Sequence, residues 1–159
     1  MRTGINNQYI RLMDKKLGDI CVFSDSLQKS IDLAVWRNFL ITGKNLYPCF
    51  VIDGLEDNYA CVSKDVLQHF HHQTPHQLPN TYSGMDYNHI ASICRDHDPL
   101  DHWVEIKGMI SVTDHRVLRF ILEKKIPIEK FIRHELASTG FDENGVWCGI
   151  DKSKEIWLK

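Results

Sequence analysis

Apolar positions in this chain change their period near the middle, from a mixture of short runs and one helix to three helical stripes in succession. Ile20-Cys-Val-Phe23, within residues 17–23, is a short apolar run that suits a strand or the buried lead-in to a helix. Ser24-Asp-Ser26 then offers N-cap residues, with Asp25 and Gln28 at capping-box spacing. From Leu27 the residues Ile31, Ala34 and Val35 repeat at helical spacing, and Leu33, Trp36, Phe39 and Leu40 widen the stripe. So apolar a helix should be central, and Gly43 is its expected stop. Residues 49–53 and 59–63 are rich in β-branched and aromatic side chains and flank turn formers, which predicts a hairpin. Ser63 can cap a short helix carrying Val66, Leu67 and Phe70. Residues 74–84, with two prolines, read as a surface loop. Asp86 can cap a helix through Ile90, Ile93 and Cys94, ending at residues 96–98 because Pro99 disfavours helical geometry before it.

The stretch 98–140 predicts three consecutive helices. Asp98-Pro99 opens the first, Ser111-Val-Thr-Asp114 the second and Pro127 the third, and Gly140 closes the set. Their stripes are Leu100, Trp103, Val104 and Ile110; Val117, Leu118, Ile121 and Leu122; and Ile128, Phe131, Ile132 and Leu136. Burying each Leu, Ile or Phe contributes roughly 1.5–3 kcal/mol, so these stripes are expected to fold back on one another and dominate stability. Asn144-Gly145 predicts a tight turn. Residues 151–158 suit a final strand or a helical turn, with Ile156, Trp157 and Leu158 packed down. The expected fold is α+β: a single compact domain over residues 1–159, helix-rich, with a small antiparallel sheet or hairpins and a three-helix C-terminal half.

Composition narrows the class without naming a function. With 159 residues, 43% of them hydrophobic, the chain can bury a real core. A net charge of −2 provides no global field for a polyanion, so nucleic-acid binding is unsupported by charge, although a local basic face would permit it. Five cysteines, scattered and never in a CxxC pair, fit a reducing compartment. The first residues carry charge without a following apolar core, and no run is long enough to span a bilayer, so a cytoplasmic protein without membrane contact is expected.

Several clusters invite chemistry. His69 and His72 stand three apart on a predicted helix with His76 downstream, a set of imidazoles suited to a divalent metal such as zinc. A solvated helix end explains the same residues, and no cofactor is expected. His134-Glu135 begins a metalloprotease-type helix, but Ser138 stands where the second histidine belongs. Ser26-Leu-Gln-Lys29 matches one motif of serine β-lactamases without its companions, and Ser26 as a helix cap explains it better. Cys49 and Cys61 read as packing thiols, with no neighbour in sequence that marks either as acidic. Arg95, His97 and His102 sit with Asp98 and Asp101 around a helix start. The spacing of Arg95 and His102 resembles the loose Arg-x(4–6)-His signature of HEPN-type RNases, in which arginine and histidine serve phosphodiester cleavage. The remainder of the chain does not read as the all-helical bundle that this resemblance implies.

Charge is distributed unevenly. Asp86, Asp96, Asp98, Asp101 and Glu105 make one region acidic, while Arg116, Arg119, Lys124, Lys125, Lys130 and Arg133 make the next basic. Solvated faces with local ion pairs account for much of this. Complementary charge also steers partners, and Trp103, Trp147 and Trp157 are suited to anchoring them. The function expected is therefore a small non-catalytic protein-binding module, such as an inhibitor, immunity or antitoxin-like protein, with Asp96, Asp101, Trp103, Arg116, Arg119, Lys124 and Arg133 as binding residues. The alternative is a metal-dependent or general acid–base hydrolase or nuclease built on Arg95, His97 and His102.

Overall fold

The computed structural model describes residues 21–40, 48–54, 56–70 and 73–159. A three-stranded antiparallel sheet and a larger complement of helices make the fold α+β. The strands are β1 (Cys21–Ser24), β2 (Cys49–Asp53) and β3 (Tyr59–Ser63), in the order β1-β3-β2. β2 and β3 are the expected hairpin, in register from Cys49 opposite Ser63 to Asp53 opposite Tyr59. The Gly54 N–H donates to the Asn58 carbonyl at 2.7 Å and closes its loop, where Glu56 and Asp57 take left-handed backbone conformations. The run at 17–23 contributes β1 from Cys21 onward, with residues 17–20 outside the described residues.

Strand side chains alternate between faces, so the register sorts them into two small cores. Cys21, Ile52, Ala60 and Val62 share one face with Val66 of the short helix α2 (Lys64–Leu67), which continues as a 3-10 turn through Phe70. Cys49, Val51 and Cys61 share the other with Ala34 of helix α1 (Leu27–Phe39). The sheet is thus covered on both faces, which is why its strands are apolar throughout and not alternating.

Helix α1 begins as its sequence demands: Ser26 Oγ accepts from the Lys29 N–H at 3.2 Å. It ends at Phe39, four residues before Gly43, which lies outside the described residues. The Asn38 amide clamps the start of β2, accepting from the Cys49 N–H at 2.7 Å and donating to the Cys49 carbonyl at 3.1 Å. The expectation of an all-round apolar, central helix needs correction. Its buried residues are Ser30, Asp32 and Ala34, while Phe39 and Leu40 are exposed.

Helix α3 (Tyr87–Arg95) is capped by Asp86, whose Oδ1 accepts from the His89 N–H at 2.9 Å. Helix α4 (Asp101–Ser111) starts later than the sequence suggested, and Asp98 does not cap it. The Asp98 N–H instead donates to Asp96 Oδ1, and the first helical carbonyl is that of Leu100, which accepts from Trp103 and Val104.

The chain divides into two compact units between Val104 and Glu105, inside α4. The second unit holds α5 (His115–Lys124), α6 (Ile128–Thr139) and α7 (Ile150–Trp157). Asp114 caps α5, and Gly140, with φ of 80°, ends α6 in the left-handed conformation that glycine adopts without strain. Asn144-Gly145 forms the expected turn: Asp142 Oδ1 accepts from the Asn144 and Val146 amides, and Phe141 bridges to Trp147. Residues 151–158 resolve as helix α7. It packs against α6, with Ser153 Oγ 3.1 Å from the carbonyls of both Leu136 and Phe141, and Trp157 Nε1 donating to Phe141 at 2.9 Å. The main helix packing in this unit is therefore α6 on α7, not a fold-back of three striped helices.

The double-faced sheet makes the first prediction. Ile52→Ala should cost about 2–5 kcal/mol, read as a lower urea midpoint at unchanged slope, because the rigid sheet cannot collapse into the void.

Candidate functional site

In the first unit the sequence hides a carboxylate inside an apolar helix. Asp32 is 2% exposed, and four donors converge on it. Oδ1 accepts from Gln28 Nε2 at 3.0 Å and from the Tyr82 hydroxyl at 2.8 Å. Oδ2 lies 2.8 Å from His89 Nε2 and 3.2 Å from Trp103 Nε1. A carboxylate has about four lone-pair directions, and here each has a donor. Burial, then the hydrogen bond and charge of Asp32, push the Tyr82 phenol well above its ordinary pKa, so it remains a donor. No sequence motif announces this site. The signal that existed was Asp32 itself, an acid in an otherwise oily stripe.

Beside this network His102 is 8% exposed, its ring 4.6 Å from Trp36 in a stacked arrangement and 4.5 Å from Trp103. Its Nδ1 is buried without a hydrogen-bond partner among the described residues. Burial lowers the His102 pKa, partly offset by the charges of Asp32 and Asp101. Lys29 ties α1 to the segment before α4, reaching Asp96 Oδ2 at 2.9 Å and the Asp98 carbonyl at 2.6 Å. Burial opposes ionisation of Asp96, but the Lys29 ammonium, the Asp98 amide and His97 together hold its carboxyl below the usual carboxylate value.

An open cleft of about 650 Å3 runs along α1. Its walls are β1, one face of α1, and residues 98–101. Ser30 and the half-buried Arg37 line it, and the Ser30 hydroxyl is buried without a hydrogen-bond partner among the described residues. Behind the cleft Cys49 and Cys61 interact across the sheet. The hydrogen bond from Cys61 lowers the Cys49 pKa against the opposing effect of burial, while Cys61 is pushed up by that bond and by burial.

The sequence-derived candidates fare unequally. Arg95 donates to the Ala91 carbonyl from an exposed position, His97 is exposed, and His102 is enclosed by the two indoles. No hydrogen bond, ion pair or ring contact joins these three. His76 is 2.7 Å from Asp53 and edge-on to Tyr59, His69 is exposed in the 3-10 turn, and His72 lies outside the described residues. Among the described residues no three His, Cys, Asp or Glu side chains are grouped to hold a metal, and no helix is long and apolar enough to cross a membrane. Asp96 and Trp103 are committed to Lys29 and Asp32; Asp101 is exposed on the cleft rim.

The second unit presents a different surface. The stripes expected to be buried are largely exposed: Phe131 is 64% exposed and Leu122 77%, joined by Ile110, Val117 and Ile132, and Met109 and Phe120, which belong to no stripe, are exposed as well. Within residues 105–159 the buried positions are Ala137, Gly140 and Ser153. This corrects the expectation that these stripes supply most of the stability. Arg116 pairs with Asp114, Arg119 with Glu123 and Arg133 with Glu129, all exposed. Lys124, Lys125 and Lys130 make no ion pair among the described residues.

Scans against protein-family models, the curated proteins and the solved structures return no match.

Two outcomes test the first unit. Asp32→Ala strands the donors of Tyr82, His89 and Trp103, and should destabilise the protein by about 3–5 kcal/mol in urea unfolding, with a displaced Trp103 indole resonance. His102 gives a pH signature. Its folded pKa lies below the ordinary 6.5, so above that value both states are neutral there and stability is unaffected. As pH falls below it, the unfolded chain takes the proton that the buried ring resists, and stability drops. Unfolding curves between pH 7.5 and 5, taken as approximate limits, should slope less for His102→Phe than for wild type.

Proposed function

We propose that this protein is a non-catalytic protein-binding module whose second unit covers a surface of another protein. An inhibitor, immunity or antitoxin-like role is the form such covering takes. The observation behind this is the exposed apolar surface of α4, α5 and α6, with Phe120, Phe131 and Leu122 in water. Large exposed apolar patches on soluble proteins mark binding sites, since leaving them wet forfeits burial energy.

Charge specifies the partner's chemistry. Arg116, Arg119 and Arg133 are paired with nearby carboxylates, while Lys124, Lys125 and Lys130 make no ion pair among the described residues and stand beside the exposed apolar side chains. The fitting surface is an apolar patch on a folded protein with an acidic rim, the rim setting encounter rate and orientation. The hydrolase alternative draws less support, because Arg95, His97 and His102 make no contact with one another.

The test is co-purification from the native source with wild type, Phe120→Asp/Phe131→Asp and Lys124→Glu/Lys130→Glu. The expected result is one stoichiometric protein with an acidic surface, lost with the first variant and weakened about tenfold or more by the second. Wild type that binds nothing more than the Asp variant does, or that buries the face in a second copy of itself, overturns the proposal.

A further inference from the structure

Three of the five cysteines are buried in the first unit, and the sheet register sorts them. Cys21 lies on the face shared with Ile52, Ala60 and Val62. Cys49 and Cys61 lie on the opposite face, with Ala34 of α1 packed over them. Cys49 stands opposite Ser63 and Cys61 opposite Val51, so the two thiols are diagonal neighbours across β2 and β3. Diagonal neighbours sit about 7–8 Å apart, with their Cβ atoms somewhat closer. Here the sulfurs meet, and the Cys61 thiol donates a hydrogen bond to the Cys49 sulfur.

That hydrogen bond makes the two sulfurs chemically unequal. It holds the Cys49 thiol more acidic than usual against the opposing effect of burial, with the Arg37 charge acting in the same direction. The same bond, then burial, keeps the proton on Cys61. The thiolate is the form that attacks an oxidant, so Cys49 is the attacking sulfur and Cys61 the one that resolves. Cys49 is also the easier of the two to uncover. It is the first residue of β2, which flanks the central β3, and its backbone N–H and C=O are held there by the Asn38 side chain. Local opening of those two hydrogen bonds exposes Cys49 without unfolding the sheet.

We infer that Cys49 and Cys61 are a reversible oxidation site, closed to a cross-strand disulfide by a hydroperoxide and reopened by a small dithiol. The Cys49 sulfur attacks one peroxide oxygen, the O–O bond breaks, and an alcohol (water, from hydrogen peroxide) leaves with the proton, giving Cys49 sulfenic acid. The Cys61 sulfur then attacks the Cys49 sulfur and gives up its proton, and the S–O bond breaks with loss of water. Two thiols and one hydroperoxide thus become one disulfide, one alcohol and one water, with two electrons passing from sulfur to the peroxide bond. Reduction consumes a dithiol, which is oxidised to its own disulfide. Disulfides mostly hold their Cα atoms about 5.5–6 Å apart, so closure draws the start of β2 across β3 by about 1 Å or more. A bond formed under that strain is more readily reduced, which suits a reversible site and not a structural staple. Cys21 does not compete, because the sheet stands between it and Cys49.

The test treats the folded full-length protein with hydrogen peroxide and maps its cysteines by peptide mass. The expected product is a Cys49–Cys61 linkage, lighter by two hydrogens, that forms before Cys21 reacts and returns to two thiols with dithiothreitol. Cys61→Ser should stop the reaction at Cys49 sulfenic acid, heavier by one oxygen. Cys49→Ser should slow oxidation of Cys61 by about tenfold or more, since its proton is held and its partner is gone. Mapping of the wild type needs neither variant, so the test survives if one of them misfolds. The assignment is overturned if Cys49 and Cys61 stay unlinked while the exposed Cys94 is oxidised, or if their linkage appears only once urea unfolds the protein. Both thiols lie in the first unit, so loss of the docking partner described above leaves this result untouched.

Discussion

A carboxylate removed from water inside a helix is a liability unless the surrounding chain supplies its hydrogen bonds, and Asp32 is held to that condition by four separate groups. Gln28 comes from its own helix, one turn back. Tyr82 comes from the long loop, His89 from α3 and Trp103 from the first turn of α4. Each of these segments has few apolar side chains of its own to bury; α3 has no fully buried residue. Their placement follows from the directional demand of one acid, which fixes distances to a few tenths of an ångström where apolar contact would tolerate sliding. Lys29 reinforces the same geometry from the next position on the helix, holding the segment before α4 through Asp96 and the Asp98 carbonyl. The cleft exists because these polar ties set residues 98–101 against α1.

Stability in the two units comes from different sources. The first has a sheet with apolar side chains on both faces and helices over each, so its core is dry. The second buries little: Ala137, Gly140 and Ser153 lie at or near the contact of α6 with α7, held by hydrogen bonds from Ser153 and Trp157 to backbone carbonyls. The close approach of Trp147 to Gly140, where a Cβ would meet the ring at 2.3 Å, fixes the turn between those helices. Local capping and turn chemistry carry this unit, and its apolar stripes are left largely exposed.

Surface charge contributes little to stability. The Arg116, Arg119 and Arg133 pairs are exposed, and solvent screening leaves such pairs little to add. Lys124, Lys125 and Lys130 stand beside them without an ion pair among the described residues. In the first unit Arg37 is half-buried and likewise without an ion pair among the described residues.

Much of the fold was legible in the sequence because it depends on local chemistry. The β2–β3 hairpin, the Ser26, Asp86 and Asp114 caps, the Gly140 stop and the Asn144-Gly145 turn each rest on a few adjacent residues whose conformational preferences are strong. The α+β class followed from those elements. Which apolar stripes are covered was not legible, since a stripe at helical spacing looks the same whether it faces a core or water. That is why Leu122 and Phe131 were expected inside, and why α7 was left between strand and helix. Nor could spacing reveal Asp32, because its partners come from as far as 71 residues along the chain. Sequence determined the elements and their ends; tertiary structure alone decided which side chains lost their water, because burial belongs to the meeting of distant segments and not to any one of them.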